Sequence, residues 1–158
     1  MGTAASADDL VYGAHHTRLV DGKGIDGVDT WVPSNNGPDT PGTVCAQVPG
    51  AEETVRWLSL EIEVPLIVTK VQLSKRMGCC RDQGQYVTIT IGTTREYDPN
   101  DDLCLPQISE LRDKSGLEDY LCTANPKEGK FVKISKVGTN SLVICEAKVF
   151  GFPAGKHK

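Results

Sequence analysis

The stretch that decides the fold runs from residue 74 to 83 and reads Ser74-Lys75-Arg76-Met77-Gly78-Cys79-Cys80-Arg81-Asp82-Gln83. It stands between two apolar runs, residues 66–73 and 86–91. If Cys79 and Cys80 bond to each other, they form a rigid ring that presents two sulfur atoms as a small apolar platform. Arg76 beside them offers several donors and no acceptor. This combination suits a ligand with hydroxyls on one side and an apolar edge on the other, as in a deoxy sugar.

The other cysteines leave more than one pairing open. The chain has six, Cys45, Cys79, Cys80, Cys104, Cys122 and Cys145. Their even number and the lack of a C-x-x-C spacing predict disulfides rather than zinc, and therefore an oxidising compartment. Pairing Cys104 with Cys122 would close the irregular segment between them into a loop. Pairing Cys45 with Cys145 would join the two ends of the domain. Adjacent cysteines more often bond to other partners than to each other, so the connectivity stays open at this point.

Length and composition limit the classes of protein to which this chain could belong. The 158 residues suffice for one domain spanning 1–158, and the net charge of -4 argues against a nucleic-acid partner. No apolar run is long enough to insert in a membrane. Residues 1–9 lack the apolar region of a signal peptide. We therefore expect a fragment of a secreted protein or the extracellular part of a cell-surface protein, with loose or vector-derived ends at 1–11 and 152–158.

Hydrophobic periodicity predicts a β protein. Apolar and polar residues alternate with a period of two over residues 54–64, 86–91 and 130–137, and residues 66–73 and 141–150 are apolar-rich runs that also indicate strands. Pro65 is expected to separate the first two strands, and residues 138–140 to form a hairpin-like connection between the last two. Residues 130–137 are expected to be half exposed, and residues 108–120 to hold at most one helical turn. This pattern predicts an all-β sandwich or barrel with ligand sites on its loops.

The segment 18–45 is rich in turn residues and oxygen donors. Asp21, Asp26 and Asp29 could supply oxygen ligands to calcium, although Asp residues also commonly cap turns. Trp31 in this segment is a candidate ligand-stacking residue, or equally a core residue.

These features together resemble the F-type lectins, or fucolectins, typified by eel agglutinin. The order and spacing of the six cysteines agree with that family. The segments that carry the rest of the resemblance are Tyr12 with Asp21-Gly22, Trp57-Leu58-Ser59-Leu60-Glu61-Ile62, Arg76-Met77-Gly78-Cys79-Cys80, Val87-Thr88-Ile89-Thr90-Ile91-Gly92, Gly129-Lys130-Phe131-Val132 and Ile144-Cys145-Glu146-Ala147-Lys148-Val149-Phe150-Gly151.

The resemblance implies an eight-stranded jelly-roll β-sandwich of the galactose-binding-domain type. It implies a structural Ca²⁺ held by Asp21, Cys145 and Glu146. It also implies that Cys79 and Cys80 form a vicinal disulfide against which fucose packs, with Arg76 bonding the sugar.

The sequence keeps Arg76 of the family's sugar motif but departs from the motif at three other positions, and two of the three members of its charged triad are lost. Gly78 stands in place of the motif's Asp, and Gln83 in place of its final Arg or Lys, although Arg81 is close by. Gln47 stands at or near the position of the family's His. Each lost charge-assisted hydrogen bond is worth about 1.5–3 kcal/mol, whereas millimolar binding amounts to only about -4.1 kcal/mol. Fucose specificity is therefore expected to be altered or lost.

Two functions follow from this reading. The first is a carbohydrate-binding lectin-like module for a glycan or glycoprotein, with Arg76, Cys79, Cys80, Gln47, Gln83, Arg81 and Trp31 at its ligand site. The second is a lectin-fold domain that binds a protein partner through its loop face, in cell recognition or adhesion. No catalytic motif stands out, so we do not expect an enzyme.

Overall fold

The computed structural model describes residues 4–6, 31–32, 42–43, 46–48, 54–75, 84–112, 116–123, 128–138 and 141–153. These residues form the strands β1 (Ala4–Ser6), β2 (Trp31–Val32), β3 (Gly42–Thr43), β4 (Ala46–Val48), β5 (Thr54–Lys75), β6 (Gln85–Gly92), β7 (Asp102–Leu103), β8 (Ile108–Glu110), β9 (Glu118–Leu121), β10 (Glu128–Gly138) and β11 (Leu142–Pro153). All the pairings between them are antiparallel. No helix in this part of the chain is long and apolar enough to cross a membrane.

The central element is β5, which joins the two strands predicted on either side of Pro65. Pro65 does not end the strand, because a bulge accommodates it. Glu61 pairs with Phe131 and Leu66 pairs with Gly129, so residues 62–65 oppose a single residue of β10. A bulge is one of the few places in a sheet where a residue without an N–H donor is tolerated.

The bulge divides β5 between two layers. Its first half pairs with β1 and β10, and β10 pairs in turn with β6. Its second half pairs with β11 and β9, and β11 pairs in turn with β4. Buried side chains from both halves, including Leu58 and Leu60 of the first and Val71 and Leu73 of the second, belong to one hydrophobic core. The two layers therefore face each other as a sandwich.

The all-β jelly-roll prediction is confirmed, and one part of its connectivity is corrected. β10 and β11 do not form a hairpin, because β5 lies between them in the sheet order. β10 pairs mainly with the first half of β5 and β11 with the second, so the chain passes from one layer to the other between them. The described residues of 108–120 contain no helical turn, and two short strands, β8 and β9, form there.

Strand β10 is more buried than its alternating sequence suggests. Residues 132–136 are all buried, whereas a half-exposed strand was expected. The inner face carries Val132 and Ile134, and Lys133 on the outer face is also fully buried. The reason is that the segment after β6 lies over this outer face and brings Asp101 to Lys133.

The Cys104–Cys122 disulfide is present and connects the two layers. Cys104 N–H donates to the Ile89 carbonyl of β6, and Cys122 N–H donates to the Thr69 carbonyl in the second half of β5, both at 2.9 Å. The bond therefore fastens the segment after β6 to the opposite layer. The ends expected to be loose also contribute to the sheet, since Ala4–Ser6 forms β1 and β11 extends to Pro153.

Candidate functional site

The predicted ligand loop lies between two firmly held strand ends. Residues 76–83, and with them Arg76, Cys79, Cys80, Arg81 and Gln83, lie outside the described residues. β5 ends at Lys75, and Ser74 and Lys75 are both buried. On the other side, the buried Gly84 accepts a hydrogen bond from Leu111 N–H at 2.8 Å. The frame on which this loop is mounted is therefore part of the packed sandwich.

The sheet register places the Gln47 backbone at the same end of the sandwich as this loop. Ile144 of β11 pairs with Ala46 on one side and with Lys75 on the other. Ala46 and Lys75 are thus two strand spacings apart, or about 10 Å. Gln47 continues β4 in the direction in which the chain leaves Lys75 toward Arg76. The Gln47 backbone therefore lies at the end of the sandwich at which β5 ends, and its place in a ligand site stays a prediction.

Trp31 lies in β2 and pairs with Thr43 of β3. Thr43 is three residues before Ala46, so the β2–β3 ladder reaches within about 11 Å of β4 along the chain. The role of Trp31 in a ligand site stays a prediction.

The two predicted calcium ligands in β11 lie at an irregularity of the strand. Between Ile144 and Glu146 the pairing with β5 advances by one residue, from Lys75 to Ser74, which leaves Cys145 as the extra residue of a bulge. Both Cys145 and Glu146 are buried, and Cys145 is disulfide-bonded. The carboxylate and main-chain oxygens at a bulge are the hard donors that Ca²⁺ prefers, so these residues fit a calcium site.

The third predicted ligand, Asp21, lies outside the described residues, as does Cys45. Within the described ranges no group of three or more His, Cys, Asp or Glu side chains could hold a metal ion. A calcium site would therefore need oxygens from the segment that contains Asp21.

The alternating pattern of β10 does not reveal that Lys133 forms a buried ion pair with Asp101. Their Nζ and Oδ2 atoms are 2.5 Å apart, and the side chains are 0% and 8% exposed. The only sequence signal was a lysine in the middle of a strand, which normally points to solvent. The pair fixes the segment 97–107 against the outer face of β6 and β10, where a cleft forms.

Comparisons with known proteins bear on this architecture. No family model matches the chain, and no curated protein matches it. Among solved structures, a fucolectin from the serum of striped bass (Morone saxatilis) superposes with a TM-score of 0.73 over 99% of this chain, at 22% sequence identity. The chain has the fold of the F-type lectins. It spans 49% of the length of that fucolectin.

Two further structures show the same fold. The lectin domain of lectinolysin, in complex with Lewis b antigen, has a TM-score of 0.68 and 18% identity, with 95% of this chain and 92% of that chain covered. A chitosan-binding module from a Paenibacillus sp. IK-5 chitosanase/glucanase has a TM-score of 0.61 and 15% identity, with 95% of each chain covered. The fold is thus one that lectins and other carbohydrate-binding modules share.

Proposed function

We propose that this chain is an extracellular carbohydrate-binding module with altered or lost specificity for fucose. The main support is the match to a fucolectin over 99% of the chain, on a fold that other structures use to bind Lewis b antigen and chitotriose. The proposed site comprises Arg76, the Cys79–Cys80 pair and Gln47, with Gln83, Arg81 and Trp31 around them. The Gly78 and Gln83 replacements are the reason for proposing a glycan other than simple fucose.

The location outside the cell is part of this proposal. The Cys104–Cys122 disulfide is of a kind that persists in oxidising compartments, and the matched fucolectin is a serum protein. The same proposal includes a structural Ca²⁺ held by Asp21, Cys145 and Glu146. Its role would be to stabilise the loop end on which the ligand site stands, without taking part in any chemical step.

A glycan array with calcium present tests the sugar-binding proposal directly. We expect binding to a subset of glycans, and we expect Arg76→Ala to abolish it without lowering the melting temperature. Arg95→Ala is the matched control, because Arg95 is exposed and makes only a loose ion pair with Glu96 at 3.9 Å. An array on which no glycan binds, together with a cell-surface partner captured equally well after glycosidase treatment, would favour the alternative of a protein-binding lectin fold.

Calcium is tested by thermal unfolding with and without EDTA. A resident ion stabilises the folded state by mass action, so its removal should lower the melting temperature, and Glu146→Gln should reduce that difference. An unchanged melting curve in EDTA would show that the fold needs no ion.

A further inference from the structure

A polar cleft lies on the outer face of the first layer, apart from the proposed loop site. It has a volume of about 340 Å³, and its lining includes Thr88, Thr90, Tyr97, Asp98, Gln107 and Ser135. We call it the outer cleft. Thr88 lies three residues along β6 from Gln85, about 10 Å from the strand end, and the cleft shares no residue with the loop site.

The walls of the outer cleft are held by strong local contacts. Asp101, which also lines the cleft, is bonded to the buried Lys133, and its N–H donates to the Asp98 carbonyl at 3.1 Å. The neighbouring Cys104 is tied to β6 by a backbone hydrogen bond and by the disulfide to Cys122, the residue that follows β9. These contacts come from three different elements, so the cleft is preformed in the folded protein.

The polar atoms at the cleft are only partly used by the protein itself. Asp98 Oδ1 accepts from Asn100 N–H at 2.9 Å, and its Oδ2 has no partner within the described segments. Thr90 is 6% exposed, and its hydroxyl lacks a hydrogen-bond partner among the described residues. An unsatisfied buried hydroxyl carries a free-energy cost that a bound hydroxyl group or a bridging water can remove.

The charge and shape of the lining restrict the ligand. The Asp101 carboxylate is neutralised by Lys133, whereas the Asp98 carboxylate leaves a negatively charged acceptor in the lining. An anionic ligand is therefore not favoured, and the described residues contain no cluster that would hold a metal ion.

The rest of the lining is apolar. Pro99, Leu103 and the Tyr97 ring give the cleft surfaces on which C–H groups can pack. Its volume lies within the range of about 300–1,000 Å³ that small-ligand pockets occupy.

We infer that the outer cleft binds one neutral pyranose unit, as a second saccharide site. The carboxylate of Asp98 and the amide of Gln107 bond vicinal hydroxyls, while the apolar surfaces contact the C–H face of the ring. This inference goes beyond the loop site and does not depend on it, because the two sites use different residues. If the proposed loop site also binds a sugar, the module is bivalent within one chain and can hold two units of a branched glycan together.

Amide-resolved NMR titration of the full chain tests the second site. The probes are methyl α-L-fucoside, methyl β-D-galactoside, methyl α-D-mannoside and methyl N-acetyl-β-D-glucosaminide. We expect at least one of them to cause saturable shifts in the amides of residues 97, 98, 100, 101 and 135–137. Asp98→Asn keeps the Asn100 contact but loses the charge, and should weaken this binding about tenfold or more. Thr88→Val, with similar volume and no hydroxyl, should weaken it as well.

The matched control is Asp102→Asn, which alters a neighbouring exposed carboxylate outside the lining. It should leave the affinity unchanged. The inference is overturned if no probe shifts the cleft amides, or if Asp98→Asn and Asp102→Asn have equal effects. Sugar binding that is lost in Arg76→Ala but unchanged in Asp98→Asn would reject the outer cleft and leave the proposed function intact. Cleft shifts that persist in Arg76→Ala would support it even if the loop site binds nothing.

Discussion

Removing one partner of the buried Lys133–Asp101 pair should destabilise the protein strongly. Lys133 is 0% exposed and Asp101 8%, so neither charge has access to bulk water. Asp101→Asn keeps the size of the side chain but leaves the Lys133 ammonium without its counter-charge. Breaking a buried pair in this way costs about 3–5 kcal/mol. Lys133→Met should cost somewhat less, because the remaining carboxylate lies nearer the surface.

The double variant separates the free energy of the ion pair from the free-energy cost of burying each charged group. In Lys133→Met/Asp101→Asn no isolated charge is left in the outer face, so its cost should be well below the sum of the single costs. Urea unfolding at equilibrium gives each free energy of unfolding, with the slope checked for constancy.

The control is an exposed ion pair whose lysine lies on β10, the strand that also carries Lys133. Lys130 Nζ lies 3.3 Å from Glu61 Oε2, but the side chains are 43% and 39% exposed. Lys130→Met should therefore cost less than about 1 kcal/mol. The reasoning is refuted if Asp101→Asn costs no more than Lys130→Met, or if the two single costs simply add in the double variant.

Three further predictions concern stability. Gly92→Ala should destabilise the fold by about 1–3 kcal/mol in the same urea assay, because a Cβ there would meet the carboxylate of Asp101, which Lys133 prevents from moving away. Replacing both Cys104 and Cys122 by Ala should cost about 3 kcal/mol, because the bond closes a loop with a sequence separation of 18 and joins the two layers. Burial raises the pKa of Tyr120, so the stability that its neutral form contributes is full below about pH 10 and is lost as the pH rises above that value. Tyr120→Phe should flatten the decline of stability above pH 10.

Each of these three stability predictions has a control experiment on the same protein. Gly84→Ala should be nearly neutral, because its Cβ would make only ordinary contacts with Leu111 at 3.5 Å. Adding reductant should destabilise the wild type by opening the Cys104–Cys122 disulfide, and this part of the effect should be missing in the Cys104→Ala/Cys122→Ala double variant. Tyr86→Phe changes a tyrosine that is 55% exposed, and the alkaline profile should remain that of the wild type. Equal profiles for Tyr86→Phe and Tyr120→Phe would contradict the assignment.

The described residues provide a mechanical reason why the proposed ligand loop could change its specificity without loss of the fold. Ser74, Lys75 and Gly84 hold both ends of the ligand loop in the packed sandwich. Substitutions between these anchors therefore change the recognising groups without changing the frame that carries them. Gly78 and Gln83 lie in that interval.

The sequence alone determined the strands whose two faces differ, and it named Cys104–Cys122 as one of the possible cysteine pairs, which the structure then selected. Residues 86–91 alternate because every second side chain enters the core, and this signal is contained within a few neighbouring residues. The resemblance carried by the cysteine pattern then predicted the jelly roll correctly. The apolar-rich run 141–150 likewise predicted the last strand.

Only the tertiary structure decided what covers the outer face of β10 and where the outer cleft forms. From the sequence alone Lys133 is expected to be exposed. It is buried because the fold brings Asp101, 32 residues earlier in the chain, against it. Likewise, Thr88 and Ser135 become neighbours only through the register of β6 and β10. Alternation records which side of a strand is apolar, but it carries no information about which distant segment lies on the other side.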